Sequence, residues 1–320
     1  APDFLHEEMA LAALEAGKAV YLEKPMAITI KGCDKILETA ARTKSKLYLG
    51  HNMRHFPSIL KMKELIDAGA IGNVQAVWCR HFISYGGDAY FKDWHSERKY
   101  STGLLLQKGA HDIDVIHWLA GAYTRRVVGM GRLSVYDKCK RRDDSDPKGF
   151  ALKHCFSDFW NNFWPPKSQD KMSKRIDIED HTMIMMQLEN GIQATYMQCH
   201  YTPDCCRNYT FIGDEGRLEN IGDSGNCKIL LYNQRDTEFM KGDVVYNLRE
   251  ISGSHGGADP RIVAEFVNFA RGEGKATTSP IAAREAVATG FLGTESLRNG
   301  SVPMDVPPPE KKIQRYFDKA

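Results

Sequence analysis

The stretch Val20-Tyr21-Leu22-Glu23-Lys24-Pro25 decides how the first part of the chain folds. Its first three residues are apolar and suit a buried strand. Pro25 cannot donate to a sheet and moves the residue before it out of the helical region, so the strand ends at Lys24. A lysine at that point lies where open α/β sheets bind their ligands. The alternative is a surface turn in which Glu23 and Lys24 are both solvated.

Helical and extended patterns alternate around this stretch. Apolar residues at helical spacing predict helices near 4–16 and 30–43, the second with Thr29 as its N-cap, and apolar runs predict strands near 19–23 and 46–50. This order is typical of parallel strands joined by crossover helices. Two strands are too few for a stable doubly wound sheet, so partner strands are either missing or supplied from elsewhere.

The pattern changes near residues 51–54, where we place the boundary between two units. The second unit reads as a mainly antiparallel sheet of about six or more strands with flanking helices. Residues 137–178 are polar and irregular, and we interpret them as a long excursion. Helices are predicted near 57–68, 104–119, 259–271 and 280–298, and strands at 74–83, 127–136, 182–188, 193–200, 208–213, 217–220 and 228–232.

Composition narrows the class of protein. The chain has 320 residues, 42% hydrophobic and 26% charged, with a net charge of +2, which gives no reason to expect nucleic acid or a membrane surface as a partner. The sequence has no run of 18 apolar residues that would span a bilayer. Eight cysteines follow no spaced framework, so we predict reduced thiols and a cytoplasmic protein. A metal site at Cys205-Cys206 with His200 lacks the four spaced ligands that zinc requires.

A second polar cluster precedes Trp118. If His111 lies in the first turn of a helix, Asp114 shares its face, and Gln107 and Lys108 sit on the same side. A histidine beside an amide, an ammonium and a carboxylate can handle a proton. The alternative is an ordinary helix N-terminus with a satisfied structural histidine. A metal site is disfavoured because the candidate ligands would fan around the helix: His111, Asp112, Asp114 and His117.

These motifs together resemble the Gfo/Idh/MocA oxidoreductases. The resemblance rests on Asp3-Phe4-Leu5-His6, Glu23-Lys24-Pro25, His51-Asn52-Met53-Arg54, and a histidine helix that runs from Gly109 to Leu119. It extends over essentially the whole chain and implies an α/β plus α+β fold. The expected units are a partial Rossmann (doubly wound) domain over 1–53, an α+β domain with a large, mainly antiparallel open sheet over 54–300, and a tail over 301–320.

The resemblance implies hydride transfer between a sugar, cyclitol or similar polyol and NAD or NADP. Lys24 and His111 would orient and deprotonate the hydroxyl, and the Lys24–Pro25 bond would be cis. We add Lys108 as a third catalytic candidate, and we expect no metal. A homo-oligomer, dimer or tetramer, would use the open sheet for subunit contacts. The implied cofactor contacts are Pro2, His6, Glu23, Lys24, Asn52 and Arg54, and the implied substrate contacts are Gln107, Asp114 and Trp94.

Two departures from the family pattern matter. The Gly-x-Gly-x-x-Gly turn that holds a pyrophosphate is absent from these residues, so we expect about 60–80 residues, two βαβ units, to precede Ala1. Many members carry Asp at the position of Gln107. Here Lys108 could stabilise a developing alkoxide instead, and Asp112 or Asp114 could take the place of the lost carboxylate.

Two other functions remain open at this point. Some relatives of this fold are glycosidases that use bound NAD for transient oxidation, and a fragment without the glycine turn would be inactive. The residues that choose NAD or NADP are expected outside these 320. We expect the loops at 84–103 and 137–175 to choose the sugar.

Overall fold

A computed structural model describes residues 1–143, 164–223, 226–235, 241–249 and 254–319. The first unit begins with a 3₁₀ turn at Asp3–Leu5. Its further elements, in chain order, are α1 (His6–Glu15), β1 (Val20–Glu23), α2 (Ile30–Thr43) and β2 (Leu47–Gly50).

The first unit confirms the alternation that the sequence predicts. β1 and β2 form a two-stranded parallel sheet in which Val20 pairs with Leu47. α2 begins where expected, because the Thr29 hydroxyl accepts a hydrogen bond of 3.0 Å from the Gly32 amide. The apolar faces of the two helices are buried against the strands, with Leu14, Ile36 and Leu37 fully inaccessible. The carboxyl ends of both strands consequently point to one edge, where Lys24 follows.

The second unit is built on a nine-stranded sheet. Its strand order is β10-β9-β8-β7-β3-β6-β5-β4-β11, and all neighbours are antiparallel except the parallel pair β3–β6. The strands are β3 (Val74–Phe82), β4 (Thr124–Arg132), β5 (His181–Leu188), β6 (Gln193–Cys199), β7 (Cys206–Gly213), β8 (Arg217–Ile221), β9 (Cys227–Tyr232), β10 (Val244–Leu248) and β11 (Met304–Asp305).

Helices cover one face of this sheet and leave parts of the other exposed. Side chains alternate between the two faces along β3, since Val77, Cys79 and His81 are buried while Trp78 on the opposite face is 49% exposed. The helices are α3 (Pro57–Asp67), α4 (Gly86–Tyr90), α5 (Arg98–Ser101), α6 (Leu104–Gln107), α7 (Gly109–Ala120), α8 (Ser254–Arg271), α9 (Pro280–Arg298) and α10 (Lys311–Phe317).

The last helices connect the two units. In α9, the buried Arg284 donates to Asp34 of α2 at 2.9 Å and to the Pro307 carbonyl. Tyr48 of β2 donates to Glu265 of α8 at 2.9 Å. The segment predicted as a tail is packed, because β11 pairs with β4 and Ile313 of α10 is buried in the core of the first unit. The helices α8, α9 and α10, which come late in the sequence, therefore pack on β2 and α2, which come early.

Two predicted boundaries were wrong for physical reasons. The strand predicted at 127–136 ends at Arg132 because the buried Asp180 carboxylate binds the main-chain amides that follow, those of Ser134, Val135 and Tyr136, at 2.7–3.1 Å. The helix predicted at 104–119 is divided into α6 and α7, with Lys108 between them.

The flanks of the predicted excursion are ordered. The main chain bridges Arg141 to Met172, and Met172 is buried with Tyr136 and Phe91 in a separate core cluster. Residues 144–163 of the excursion lie outside the described part of the chain, as does Cys155. The seven described cysteines are unpaired. In the ranges that the structure describes, no helix combines the length and the hydrophobicity that crossing a membrane requires.

The Asp180 carboxylate provides a test of the fold. Replacing Asp180 with Ala would leave buried main-chain amides without an acceptor and is expected to lower the free energy of unfolding by about 3 kcal/mol. Urea denaturation measures the change. Asp67→Ala is the control, because the Asp67 side chain is 58% exposed and should cost under about 0.5 kcal/mol. Equal losses in both variants would contradict the role given to Asp180.

Candidate active site

Lys24 leaves the end of β1 and reaches the second unit. Its Nζ donates to the main-chain carbonyl of Gln107 at 3.2 Å, at the end of α6. The Lys24–Pro25 peptide bond is cis, which confirms that expectation. The Pro25 carbonyl is 2.8 Å from Nδ1 of His6, so α1 contacts the backbone that carries the lysine. The end of the parallel strand is therefore adjacent to the start of the helix that bears His111.

The histidine helix α7 is packed tightly on the sheet at its start. A Cβ at Gly109 would lie 3.1 Å from the Tyr196 ring, so glycine permits this approach. His111 is 8% exposed, and its Nδ1 is buried without a hydrogen-bond partner among the described residues. Lys108 precedes the helix, and its Nζ lies 5.7 and 5.8 Å from the ring centroids of Tyr85 and Tyr90. The predicted trio of Lys24, Lys108 and His111 is therefore arranged around one helix start.

Burial and neighbouring positive charges lower the pKa values of this trio. Burial and the Lys108 charge lower the pKa of Lys24 to about 8. Burial and the Arg207 charge likewise lower the pKa of Lys108 to about 8. Burial, followed by the charges of Lys24 and Lys108, lowers the pKa of His111 well below its ordinary value. His111 is thus a neutral imidazole near pH 7, and each lysine can release its proton close to that pH.

Asp112 anchors the helix to the sheet. Its fully buried carboxylate accepts hydrogen bonds from Tyr196 at 2.8 Å, from Arg207 at 3.0 Å and from Tyr209, and lies 3.1 Å from Nδ1 of His81. Burial alone would raise the pKa of Asp112, but Arg207 and His81 outweigh it and hold the pKa below its ordinary value. A carboxylate with so many partners from β3, β6 and β7 is committed to the sheet and does not support His111.

Asp114 is occupied on another side of the helix. Arg54 donates to its two oxygens at 2.8 and 2.7 Å and donates a third bond, of 2.9 Å, to the Thr277 carbonyl. Nδ1 of His51 lies 3.3 Å from Asp114 but is not aligned for a hydrogen bond. The Arg54 charge overcomes the effect of burial and lowers the pKa of Asp114. The predicted roles of Asp114 toward substrate and of Arg54 toward cofactor stay predictions, and the structure pairs these two residues with each other.

The residues predicted to contact the cofactor lie near the ends of β1 and β2. Glu23 folds back over Gly50, where any Cβ would approach its carboxylate to 2.9 Å. Oδ1 of Asn52 is buried without a partner in the described part of the chain. His6 has both ring nitrogens near main-chain carbonyls, those of Pro25 at 2.8 Å and Ala1 at 3.2 Å. Pro2 begins the first turn by accepting from the Leu5 amide at 2.9 Å.

The predicted substrate contacts Gln107 and Trp94 approach the site from different elements. Gln107 is 6% exposed, and its Oε1 is buried without a partner among the described residues. Trp94 is half-buried on the loop after α4, where it packs edge-on against Phe4 and stacks on His95 at 3.6 Å between ring centroids. Trp94 therefore belongs to the wall that the loop at 84–103 forms beside the first turn of the chain.

Sequence reasoning missed three groups in this site. The first is Asp3, whose carboxylate is buried and is influenced by the charges of Lys24, His95 and His6. The second is Arg207 of β7, and the third is His51, whose ring centroid is 6.5 Å from that of His111. Asp3 and His51 stand in the motifs that carry the family resemblance. Arg207 had no local signal, because only the pairing of β7 with β3 brings it under the helix.

Comparisons with known proteins agree with this architecture. The model described as the oxidoreductase family NAD-binding Rossmann fold matches residues 1–51. The model described as the oxidoreductase family C-terminal alpha/beta domain matches residues 63–306. YteT of Bacillus subtilis (strain 168) is 24% identical over 298 residues, which cover 82% of this chain and 70% of YteT.

Two further relatives have names that specify a reaction. The inositol 2-dehydrogenase/D-chiro-inositol 3-dehydrogenase of Lactiplantibacillus plantarum is 27% identical over 218 residues, which cover 67% of this chain and 49% of that protein. A levoglucosan dehydrogenase, solved with NADH and levoglucosan, aligns with a TM-score of 0.74 and 17% identity over 96% of this chain and 78% of that one. The chain thus spans about half the length of the inositol dehydrogenase.

The two domain models match in the same order as the two structural units. The second model alone matches residues 63–306, which is more than half of the 320 residues of the chain. The chain therefore belongs to the Gfo/Idh/MocA family of oxidoreductases.

Proposed function

We propose that this protein transfers a hydride between a sugar, cyclitol or similar polyol and a nicotinamide cofactor. The proposal depends on one observation: Lys24 and His111 lie close together at the junction of α6 and α7. A hydrogen bond of 3.2 Å from Lys24 to the Gln107 carbonyl holds the lysine at this junction. His111 is neutral near pH 7, and the lowered pKa of Lys24, about 8, makes part of its amine neutral close to that pH, so that it can accept a hydroxyl proton. Relatives named as inositol and levoglucosan dehydrogenases support a polyol substrate.

The residues present suit the nicotinamide end of the cofactor. Lys24 and Asn52 follow the carboxyl ends of the two parallel strands, where open α/β sheets bind nucleotides. The buried Oδ1 of Asn52 lacks a donor among the described residues, as expected of a group that a ligand completes. The Gly-x-Gly-x-x-Gly turn is not among the 320 residues, so this argument concerns the nicotinamide end alone. When bound, the nicotinamide accepts the hydride that leaves the substrate carbon.

The side chains of this chain handle the proton. As the C–H bond breaks and the carbonyl forms, the hydroxyl must lose its proton to a nearby base. Lys24 can take it when its amine is neutral, and His111 stays unprotonated beside it because Lys24 and Lys108 repel a further positive charge. Lys108, in its charged form, stabilises negative charge that develops on the oxygen. We propose a cytoplasmic location as well, which is supported by the seven cysteines that the structure describes, because all of them are unpaired.

Removal of the proton-handling groups should abolish most turnover. Lys24→Met and His111→Ala, made in the protein as its gene encodes it, are each expected to lower kcat for polyol oxidation by about 100- to 10,000-fold. Formation of NADH or NADPH at 340 nm is the measurement. Lys31→Ala, at an exposed position of α2, is the matched control and should keep full activity. Near-normal turnover in both site variants would contradict the proposal, as would redox-neutral cleavage of a nitrophenyl glycoside.

The pH profile should report the state of Lys24. If the neutral amine is the base, kcat/KM for oxidation rises with pH, with its inflection near 8, the pKa of Lys24, and levels off above that pH. Lys108→Met removes a positive charge that lowers this pKa, so the inflection should move above 8 in that variant. Initial rates between pH 6 and 10 test both statements. A rate that falls as the pH rises through 8 would assign Lys24 a role as a charged hydrogen-bond donor instead.

We also propose that the open face of the sheet binds a second copy of the chain. Exposed apolar side chains lie on one face of the sheet, on β3 and, beyond β6, on β5 and β4: Trp78, Met130, Met183 and Met185 are each 49–59% exposed. They adjoin a groove of about 690 Å³ on the same face. Apolar patches of this kind mark association surfaces. The groove lies on the face of the sheet opposite to α7, so it is separate from the site around Lys24.

Charge on this face should break the assembly. Met185→Glu places a carboxylate where a partner would bury the 59% exposed methionine, and we expect it to convert a dimer or tetramer to the 36.1 kDa monomer. Size-exclusion chromatography with light scattering gives the mass. Met9→Glu, at a 54% exposed methionine of α1, is the control and should not change the mass. A wild-type chain that is already monomeric at micromolar concentration would refute the surface.

A further inference from the structure

One carboxylate at the site, that of Asp3, has an oxygen without a hydrogen-bond partner among the described residues. Asp112 and Asp114 have their oxygens occupied by partners from the sheet and from Arg54. Asp3, on the first turn of the chain, is only 6% exposed, yet its Oδ2 has no hydrogen-bond partner in the part of the chain that the structure describes. Buried carboxylate oxygens are nearly always hydrogen-bonded, so an unpaired one in a candidate active site calls for a ligand donor.

A second acceptor beside it is incomplete in the same way. Gln107 is also 6% exposed, and its Oε1 is buried without a partner among the described residues. Its side chain is close enough to Asp3 to lower the pKa of that carboxyl by hydrogen bonding, which opposes the stronger effect of burial. The Gln107 carbonyl receives the Lys24 ammonium at 3.2 Å. Two unpaired acceptors, one from each unit, thus border the proposed base.

Other titratable groups do not meet this need. Lys24 and His95 act on Asp3 through their charges, but neither has a hydrogen bond to Oδ2. Nδ1 of His95 is 2.6 Å from Asp93, and His6 is directed to the carbonyls of Pro25 and Ala1. The missing donors must therefore come from outside the described residues.

We propose that Asp3 and Gln107 form a subsite that accepts hydrogen bonds from two neighbouring hydroxyls of the substrate, next to the carbon that is oxidised. The inference rests on the proposed function and narrows its substrate to polyols with adjacent free hydroxyls. Asp3, on the first turn of the chain, would also give the site a carboxylate in place of the Asp that many family members carry at the position of Gln107. Carboxylate oxygens accept hydrogen bonds, whereas asparagine at this position would direct an amide N–H donor at the donating hydroxyl of the substrate. Asp3 is thus a substrate-binding residue, and Gln107 is its partner.

The test combines a change in the protein with a change in the ligand. The protein, as its gene encodes it, is compared with Asp3→Asn and Gln107→Leu, using myo-inositol and the deoxyinositols that lack one hydroxyl. Each variant should raise KM for myo-inositol by about 10- to 100-fold and change kcat much less, because binding loses a buried hydrogen bond. The deoxyinositol that lacks the hydroxyl bound by Asp3 should bind wild type as poorly as myo-inositol binds Asp3→Asn. The same deoxyinositol should lose no further affinity when it binds Asp3→Asn. Asp67→Asn on the surface of α3 is the matched control.

Direct binding separates the possible outcomes. Saturation-transfer NMR should detect myo-inositol on wild type and much less on the two site variants, while circular dichroism checks their folding. Additive losses from Asp3→Asn and every deoxyinositol would overturn the subsite, as would the absence of myo-inositol binding to wild type. Loss of NADH affinity with unchanged myo-inositol binding would assign the acceptors to the nicotinamide carboxamide and also overturn it. Binding of myo-inositol without oxidation would refute the proposed reaction and leave the subsite standing.

Discussion

The ammonium of Lys24, held 3.2 Å from the Gln107 carbonyl, is the contact on which the site depends. It joins the end of a parallel strand to the start of the histidine helix across 83 positions of the sequence. Because this contact places one lysine in a partly buried position near a second, each lowers the affinity of its neighbours for protons. The chemistry of the site is therefore a consequence of how two units pack, and neither motif has it alone.

The same helix separates its polar residues into structural and chemical groups. Asp112 is bound by side chains of three strands, Asp114 by Arg54, and Nε2 of His117 lies 2.8 Å from the Thr124 hydroxyl. These contacts hold the helix from several directions. His111 and Lys108 lie close enough to Lys24, at the end of β1, for their charges to interact. Because these contacts fix the position of the helix, that position does not depend on the hydrogen bonds of His111. The helix can therefore keep the neutral imidazole of His111 buried without a compensating carboxylate.

Local sequence predicted the elements that carry the site. The apolar run before Lys24, the Thr29 cap and the spacing of α2 depend on neighbours in the chain, so propensity and periodicity were enough. Propensity failed where a distant group decided the local structure. The strand after Thr124 stops early because Asp180, 45 residues beyond Val135 in sequence, binds its amides. The partners of Asp112 were equally out of reach, because they come from β3, β6 and β7.

By itself, the sequence determined the order of strands and helices, the motifs around Lys24 and His111, and the family to which they belong. Spacing along a helix or strand is a local property, and it is enough for those conclusions. Only the tertiary structure decided which carboxylates are occupied. Asp112 and Asp114 looked available on the helix and are bound, whereas Asp3 keeps a buried oxygen without a hydrogen-bond partner among the described residues. Hydrogen-bond saturation depends on every group that packs around an atom, and packing brings those groups from all parts of the chain.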